Sequence, residues 1–323
     1  MTTGPSIRPP PARRRLVGDI GGTNARFAVA DDGVVGEIVI LPTKDHPTFE
    51  AAVRAYLAGR ADQRPIAEAA FAIAGPVDGD RIAFTNRDWQ FSIRELQGRL
   101  GLDRLDVIND FTANALALPY LRPADVHQVG GGNPVPERPI GILGPGTGLG
   151  VSGLVWTRSG WVALAGEGGH ATLPATNERE ARAIDRLRAT HGHVSAERVL
   201  SGGGLLDLYR ALAALDGAPE RARTPAEVTE TAQNDSDAVA REALDMFCAM
   251  LGTIAGNLAL TLGALGGLYI AGGIVPRLGA AFVRSPFRAR FEAKGRFQPY
   301  LAAIPTWVVQ HKALAMVGLA NLA

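Results

Sequence analysis

Two glycine-rich turns of the same make-up lie in separate parts of the sequence, at residues 19–24 (DIGGTN) and 144–148 (GPGTG). Their glycines let backbone N–H groups approach a ligand closely, and each turn adds a threonine hydroxyl as a donor. Such turns can hold phosphate without a large positive charge. One turn of this kind is more often only a tight β-turn, but two of them, each in the first hairpin of a repeated unit, favour a divided phosphate site.

The expected nucleotide contacts follow from these turns and from one further glycine pair. Asp19 begins the first turn, and its carboxylate is suited to hold Mg²⁺, either directly or through water. Gly272 and Gly273 follow a short predicted strand, where adenine or ribose could lie flat against the backbone; alone, this segment is an ordinary strand-to-helix turn. The other residues that we expect at the phosphates are Gly21, Gly22, Thr23, Asn24, Gly146, Thr147 and Gly148.

An Asn-Asp pair lies at the predicted carboxyl end of a strand, directly before a predicted helix. α/β folds place reactive side chains at this position, and the carboxylate of Asp110 could take a proton from an attacking hydroxyl. Aspartate is also favoured as a helix N-cap, so the sequence leaves two roles open that can coexist. The neighbouring motifs favour the catalytic role.

Acidic and imidazole side chains that could bind sugar hydroxyls lie in two further segments. Glu167 and His170 belong to the glycine-rich loop GEGGH, and Glu197 belongs to SAER. Carboxylates and imidazoles accept from or donate to vicinal hydroxyls, as a sugar site requires. Each residue alone has a structural alternative, because a single histidine is more often a satisfied structural residue and a helical glutamate is more often solvated.

The spacing of apolar residues predicts an α/β protein made of two units, each of which begins with an antiparallel meander. In the first unit, strands are predicted at 16–20, 25–30, 34–41, 70–74 and 106–108, and helices at 49–58, 92–100 and 111–121. In the second unit, strands are predicted at 139–143, 149–156, 161–164 and 268–270, and helices at 178–190, 196–199, 204–214, 226–232 and 237–262. The topology is therefore expected to be duplicated.

Length and charge limit the classes of function. A chain of 323 residues exceeds what one hydrophobic core usually organises, so we expect two domains with a cleft between them. The 33 Lys and Arg residues nearly balance 32 Asp and Glu residues, which favours neither a nucleic-acid partner nor a membrane surface. The uncharged segment 246–276 is long enough to span a bilayer, but its glycines favour a buried helix, a turn and a strand. The single cysteine, Cys248, excludes a disulfide or cysteine-cluster zinc site within this sequence.

The two ends of the sequence suggest how the domains are divided. Residues 1–15 are rich in proline and arginine and have no apolar stretch, so we interpret them as a disordered extension rather than a signal peptide. Apolar residues at helical spacing near the C-terminus predict a helix that returns to the first domain. The expected division is a small α/β domain of residues 16–118 with 311–323 and a large α/β domain of residues 119–310.

Six motifs, taken in order, resemble those of the bacterial glucokinase family. They are LVGDIGGTNAR (16–26), INDFTA (108–113), GPGTGLG (144–150), GEGGH (166–170), ERVLSG (197–202) and AGGIVPR (271–277), and the resemblance covers residue 16 to about residue 297. It implies the actin-like ATPase fold, with two ribonuclease-H-like domains around a cleft that holds ATP, Mg²⁺ and glucose. It also implies that Asp110 is the base, that sugar hydroxyls are held by Asn109, Asp110, Glu167, His170 and Glu197, and that the protein is a homodimer.

The resemblance implies a cytoplasmic, ATP-dependent glucokinase that phosphorylates the 6-hydroxyl of glucose, the first step of glycolysis. A kinase for another hexose is the nearest alternative, because residues outside the motifs can decide the orientation of one hydroxyl. A sugar-responsive regulator on the same fold would be expected to add a basic helix-turn-helix domain and would not need Asp110. A chaperone-type or filament ATPase would not need Glu167, His170 and Glu197 together. The cysteine-rich zinc motif of the related repressor and sugar-kinase family is absent, which implies the zinc-free group.

Overall fold

The computed structural model describes residues 13–84 and 88–322, which divide into two compact units. The first unit is Met1–Tyr120 together with Ala313–Ala323, and the second unit is Leu121–Lys312. The chain thus leaves the first unit once and returns to it at its end. Residues 1–12 of the predicted disordered extension lie outside the described residues.

The first part of the chain is built mainly of short strands. Its strands are β1 (Arg14–Ile20), β2 (Asn24–Asp31), β3 (Val34–Val35), β4 (Val39–Pro42), β5 (Glu68–Ile73), β6 (Arg81–Ala83), β7 (Gln90–Ser92) and β8 (Arg104–Asn109). Its helices are α1 (Phe49–Gly59), α2 (Ile93–Leu100) and α3 (Asp110–Ala117).

The second unit contains one six-stranded sheet and most of the helices. Its strands are β9 (Val126–Val129), β10 (Ile140–Pro145), β11 (Leu149–Thr157), β12 (Gly160–Leu164), β13 (Gly267–Ile270) and β14 (Thr306–Val309). Its helices are α4 (Glu178–His191), α5 (Ala196–Val199), α6 (Gly202–Asp216), α7 (Pro225–Gln233), α8 (Ala238–Leu262), α9 (Val275–Leu278), α10 (Ala280–Arg284), α11 (Phe287–Glu292) and α12 (Gln298–Ala302). The last helix, α13 (Leu314–Ala320), belongs to the first unit.

The two main sheets have the same strand order. In the first unit the order is β3-β2-β1-β5-β8, where β1 is antiparallel to β2 and parallel to β5, and β5 is parallel to β8. In the second unit the order is β12-β11-β10-β13-β14, with the same strand directions and with β9 added at the edge. The predicted duplication of topology is therefore confirmed.

The sheet of the first unit has one aromatic face and one face of small residues. Side chains alternate between the faces along each strand, so Phe71 lies in one buried cluster with Phe27, while Ala70 and Ala72 lie in another. The alanine face packs against α13. Helix α13 also lies so close to α3 that a Cβ on Gly318 would collide with the carbonyl oxygen of Ala113. The C-terminal helix thus groups with the first unit.

The N-terminal arginines are part of the fold, which corrects the prediction that disorder extends to residue 15. Strand β1 already begins at Arg14, and the side chain of Arg15 is only 1% exposed. Its guanidinium donates to Oε2 of Glu68 at 2.8 and 3.2 Å and to the carbonyl oxygens of Leu319 and Leu322 at 3.0 and 2.8 Å. These partners compensate the burial of the charge, which a sequence pattern cannot reveal.

Two predicted elements are shorter than expected. The predicted strand 34–41 is divided into β3 and β4, because the pairing with β2 shifts by one residue between them: Val35 lies opposite Ala30, whereas Val39 lies opposite Phe27. The predicted helix 111–121 begins at Asp110 and ends at Ala117, and a 3-10 turn follows it. Pro119 lies in that turn and has no N–H to continue the α-helical hydrogen bonds, although Leu118 before it keeps helical backbone.

Helix α8 forms the centre of the second unit. It begins after the capping side chain of Asp237 and ends at Gly263, whose φ of 62° is the left-handed conformation that favours glycine. By length and composition α8 could cross a membrane, but 72% of its most apolar stretch is buried within the protein. Cys248 is buried on this helix, as expected of a small apolar residue. The predicted buried helix, turn and strand are thus confirmed.

Candidate active site

The first glycine turn joins β1 to β2 and is supported from one side by a buried threonine. The N–H of Gly21 donates to the carbonyl oxygen of Asn24 at 3.0 Å and closes the turn. Thr43 is fully buried; its hydroxyl donates to the carbonyl oxygen of Gly22 at 2.8 Å, and its N–H donates to that of Thr23 at 2.9 Å. Gly22 and Thr23 are themselves exposed, which leaves this turn accessible to a ligand.

Asp19 lies on β1 opposite Arg26 of β2. Its Oδ2 is 3.3 Å from Nη1 of Arg26. Burial raises the pKa of Asp19, and the charge of Arg26 opposes that rise only in part. Among the described residues, no three His, Cys, Asp or Glu side chains form a metal cluster. Mg²⁺ usually needs only one or two carboxylates besides substrate phosphates and water, so a single carboxylate beside a phosphate turn fits this ion.

The capping role that the sequence left open for Asp110 falls to the residue before it. The N-cap of α3 is Asn109, not Asp110, because its Oδ1 accepts from the N–H groups of Phe111 and Thr112 at 2.8 and 3.1 Å. Its Nδ2 donates to the carbonyl oxygen of Gly75 at 3.1 Å. Asp110 is the first residue of the helix and is half-buried, and its Oδ1 accepts from the N–H of Phe111 at 2.9 Å. A helix N-terminus favours a negative charge at this position.

The second glycine turn, in the second unit, contacts two other glycine segments. The N–H of Gly146 donates to the carbonyl oxygen of Gly148 at 2.8 Å, and the N–H of Gly202 donates to that of Gly146 at 2.9 Å. Gly272 has a φ of 80°, and a Cβ there would collide with the carbonyl oxygen of Pro145. Only glycine therefore lets the chain after β13 lie against this turn.

A cleft of about 1040 Å³ opens beside this turn within the second unit. Three of the predicted nucleotide contacts line it, namely Gly146, Thr147 and Gly273. Sequence reasoning missed most of the remaining lining, which α7 and α9 largely provide. The additional lining side chains that can form hydrogen bonds or ion pairs are Thr224, Thr229, Glu230, Gln233, Asn234 and Arg277. Arg277 ends one of the quoted motifs, whereas no motif marked the residues of α7.

Glu167, His170 and Glu197 come together in the second unit. The N–H of Ala196 donates to the carbonyl oxygen of Ala171 at 2.8 Å, which joins the GEGGH loop to the start of α5. As a result Nε2 of His170 is 3.8 Å from Oε2 of Glu167, and Nδ1 is 3.9 Å from Oε1 of Glu197. The side chains of His170, Glu167 and Glu197 are 60%, 51% and 33% exposed, respectively. An exposed imidazole between two carboxylates offers acceptors and donors for several hydroxyls.

Glu197 also reaches the second glycine turn. Its Oε2 accepts from the N–H of Leu149, the residue after the turn, at 2.9 Å. A Cβ on Gly148 would collide with this carboxylate oxygen. Gly148 therefore faces Glu197 and is absent from the lining of the nucleotide-sized cleft. One carboxylate thus contacts both the imidazole and the turn expected to hold phosphate.

The predicted site residues are divided between the two units. The first unit contains Asp19, Gly21, Gly22, Thr23, Asn24, Asn109 and Asp110, and the second contains Gly146, Thr147, Gly148, Glu167, His170, Glu197, Gly272 and Gly273. Within each unit these residues lie in the segments that the sequence suggested. The structure adds Thr43, which supports the first turn, and the six further polar or charged side chains that line the cleft.

The two sheets of matching strand order, each with a glycine turn after its first strand, define the actin-like ATPase class of fold. A ROK-family glucokinase from Streptomyces griseus, solved in complex with glucose and AMPPNP, matches with a TM-score of 0.64 at 20% identity, over 96% of this chain and 99% of that one. A glucokinase from an Antarctic psychrotroph matches with a TM-score of 0.88 at 36% identity, over 95% of this chain and 98% of that one.

Sequence comparison gives the family. The glucokinase family model matches residues 16–323. The glucokinase of Paramagnetospirillum magneticum is 55% identical over 309 residues, which are 95% of this chain and 96% of that protein. The chain therefore belongs to the glucokinase family of hexose kinases, as its motifs suggested. The match also extends past residue 297, where the resemblance of the motifs ended, so the C-terminal segment is part of the family's length.

Proposed function

We propose that the protein transfers the γ-phosphoryl of ATP to the 6-hydroxyl of glucose and releases glucose 6-phosphate and ADP. The observation that best supports this reaction is the position of Glu197. Its carboxylate lies beside His170 and also accepts from the N–H that follows the second glycine turn. A hydroxyl-binding group and a phosphate-binding turn are thereby joined by one side chain, as a kinase that places a sugar beside a phosphoryl group requires.

The proposed chemistry is an in-line displacement. The 6-hydroxyl oxygen of glucose attacks the γ-phosphorus, the bond between that phosphorus and the bridging oxygen of ADP breaks, and the hydroxyl proton passes to the carboxylate of Asp110. Glu167, His170 and Glu197 hold the other hydroxyls and fix the direction of attack. Asn109 contributes mainly by capping α3, which fixes the backbone that carries Asp110. Most of the acceleration then comes from positioning and electrostatics.

We also propose Mg²⁺ as the metal, with Asp19 as the residue that holds it directly or through water. When bound with ATP, Mg²⁺ neutralises charge on the phosphates. The residues of the two glycine turns would contribute backbone N–H groups and the Thr23 and Thr147 hydroxyls to the same phosphates. A cytoplasmic homodimer is proposed from the resemblance to the family, and light scattering of the purified protein would measure its mass. The nearly balanced charge favours neither nucleic acid nor a membrane surface as a partner.

Substitution of the three hydroxyl-binding residues should weaken sugar binding more than nucleotide binding. Glu167→Ala, His170→Ala and Glu197→Ala each remove hydrogen bonds, of which those made by charged groups are worth about 10- to 150-fold in affinity. We expect Glu197→Ala to have the largest effect of the three, because this side chain is the least exposed. Calorimetric titration with glucose and with ADP would measure both affinities.

The control for these variants is Glu178→Ala, which changes an acidic residue in the first turn of α4 in the same unit. It should leave both affinities unchanged. Unchanged glucose affinity in all three site variants would remove these residues from the sugar site.

Hexose-dependent release of ADP tests the proposed reaction. With ATP and Mg²⁺, the protein should release ADP only when a hexose is present, and kcat/KM should be highest for glucose among glucose, mannose, fructose and N-acetylglucosamine. Chelation of the metal should abolish the activity. A higher kcat/KM for another hexose would assign the protein to that sugar, and no hexose-dependent ADP release with any of them would contradict a kinase function.

A further inference from the structure

Two residues of opposite charge line the nucleotide-sized cleft of the second unit without a partner. They are Glu230 on α7 and Arg277 on α9. Throughout residues 13–84 and 88–322, the structure gives neither side chain a hydrogen bond or an ion pair. An exposed charge without a partner is ordinary, but here both charges face a cleft that has a glycine turn at one end.

Helix α7 gives the cleft a direction. Its first turn lies near the second glycine turn, because Gly202 donates to the carbonyl oxygen of Gly146 and a Cβ on Gly202 would lie 4.0 Å from Cγ of Pro225. The lining residues of α7 then follow at helical spacing, from residues 225 and 226 through 229 and 230 to 233. At a rise of 1.5 Å per residue, Glu230 is about 7.5 Å farther along the helix than Pro225. Glu230 therefore lies about one and a half helical turns away from the end of the cleft beside the second glycine turn, which we call the phosphate end.

The guanidinium of Arg277 lies near the phosphate end of the cleft. Its Nη2 is 3.6 Å from the position that a Cβ on Gly273 would occupy. Gly273 in turn lies beside the second glycine turn, since its N is 4.0 Å from the corresponding position on Gly146. A guanidinium at this end of the cleft can donate two hydrogen bonds to a phosphate group.

A carboxylate such as that of Glu230 should be unfavourable in a site for a polyanion unless it contacts neutral donors. ATP offers such donors only on its ribose hydroxyls and on the amino group of its adenine. The vicinal 2′- and 3′-hydroxyls match the two oxygens of a carboxylate, and the ribose is the part of the nucleotide next to the phosphates. We propose that Glu230 accepts hydrogen bonds from the ribose hydroxyls and makes the enzyme selective for ribonucleotides, while Arg277 pairs with the phosphates. The assignment rests on the proposed use of ATP.

Comparison of ADP with 2′-deoxyADP tests the role of Glu230. The wild-type protein should bind ADP about tenfold or more tightly than 2′-deoxyADP, because a hydrogen bond to a charged group is lost. Glu230→Ala should bind the two nucleotides almost equally, and Glu230→Gln should retain part of the preference. Arg277→Ala should weaken both nucleotides and leave their ratio unchanged. Calorimetric titration measures these affinities without any turnover, so the result does not depend on the identity of the sugar.

The matched control is Glu227→Gln, which removes a charge from the same helix at a position outside the cleft lining. It should keep the wild-type preference for ADP. Equal binding of ADP and 2′-deoxyADP by the wild type, or an unchanged preference in Glu230→Ala, would overturn the proposal. A preference of ADP over IDP that disappears in Glu230→Ala would also overturn it, because Glu230 would then contact the base. If ADP binds but no hexose is phosphorylated, the proposed function fails while the ribose contact stands.

Discussion

Asp110→Asn should lower kcat by at least about 100-fold and leave the melting temperature nearly unchanged. Asparagine keeps the size of aspartate and can still accept from the N–H of Phe111, but it cannot take up a proton at neutral pH. General base catalysis usually contributes a factor of about 10² to 10⁴, which sets the expected loss. Glucose affinity should fall only modestly, since the amide can still hydrogen-bond the 6-hydroxyl. Steady-state kinetics and thermal unfolding of one preparation measure both effects.

Asn109→Ala provides the structural comparison for Asp110→Asn. It removes the side chain that caps α3 and should therefore cost about 1 kcal/mol in the free energy of unfolding. If Asp110 were only a structural residue, Asp110→Asn would resemble a milder form of Asn109→Ala, with turnover nearly intact. An Asp110→Asn variant that keeps more than about a tenth of the wild-type kcat would contradict its assignment as the base.

Arg15→Met should reduce the free energy of unfolding by about 3 kcal/mol, because removing one partner of a buried charged pair costs at least that much. Methionine fills much of the same volume, but the carbonyl oxygens of Leu319 and Leu322 lose the hydrogen bonds from Arg15, and that of Leu322 keeps only the one from Arg13. Glu68 also loses one of its two arginine partners. Urea unfolding at neutral pH would measure the change.

The neighbouring arginine serves as the control for Arg15→Met. Arg14 pairs with Asp31 and Asp62, whose side chains are 54% and 43% exposed, so Arg14→Met should cost less than about 1 kcal/mol. Equal losses in the two variants would contradict a special role for Arg15.

Burial raises the pKa of Glu68, but hydrogen bonds from Arg15 and Arg13 more than offset this and hold the pKa below its ordinary value. The stabilisation by this cluster is therefore present at neutral pH and is lost as the pH falls below the ordinary pKa of glutamate.

The sequence predicted those parts of the fold that depend on local patterns. The meanders, the glycine turns and the long buried helix follow from apolar spacing and from glycine positions. The start of β1 was wrong because the burial of Arg15 depends on partners 53 and 304 residues away in the chain. The strand at 34–41 was wrong because one extra residue between Val35 and Val39 shifts the pairing with β2, and apolar spacing did not show that shift.

The candidate site was predicted unevenly for a similar reason. Glu167, His170 and Glu197 belong to recognisable motifs, and tertiary hydrogen bonds then bring these motifs into contact. Glu230 belongs to no motif, because its position depends on how α7 packs beside the second glycine turn rather than on its sequence neighbours. Thr43 was missed as well, since a buried threonine that supports a turn from another strand has no local signature.

The position of the phosphate in the product tests the proposed reaction most directly. The purified protein would be incubated with ATP, Mg²⁺ and uniformly ¹³C-labelled glucose, and the product would be examined by ¹³C and ³¹P NMR. A phosphorus coupling at carbon 6, with one ADP formed for each sugar phosphate, is the result that we predict. Consumption of ATP without a sugar phosphate, or a phosphorus coupling at another carbon, would contradict the proposal that the protein is a glucokinase acting on the 6-hydroxyl.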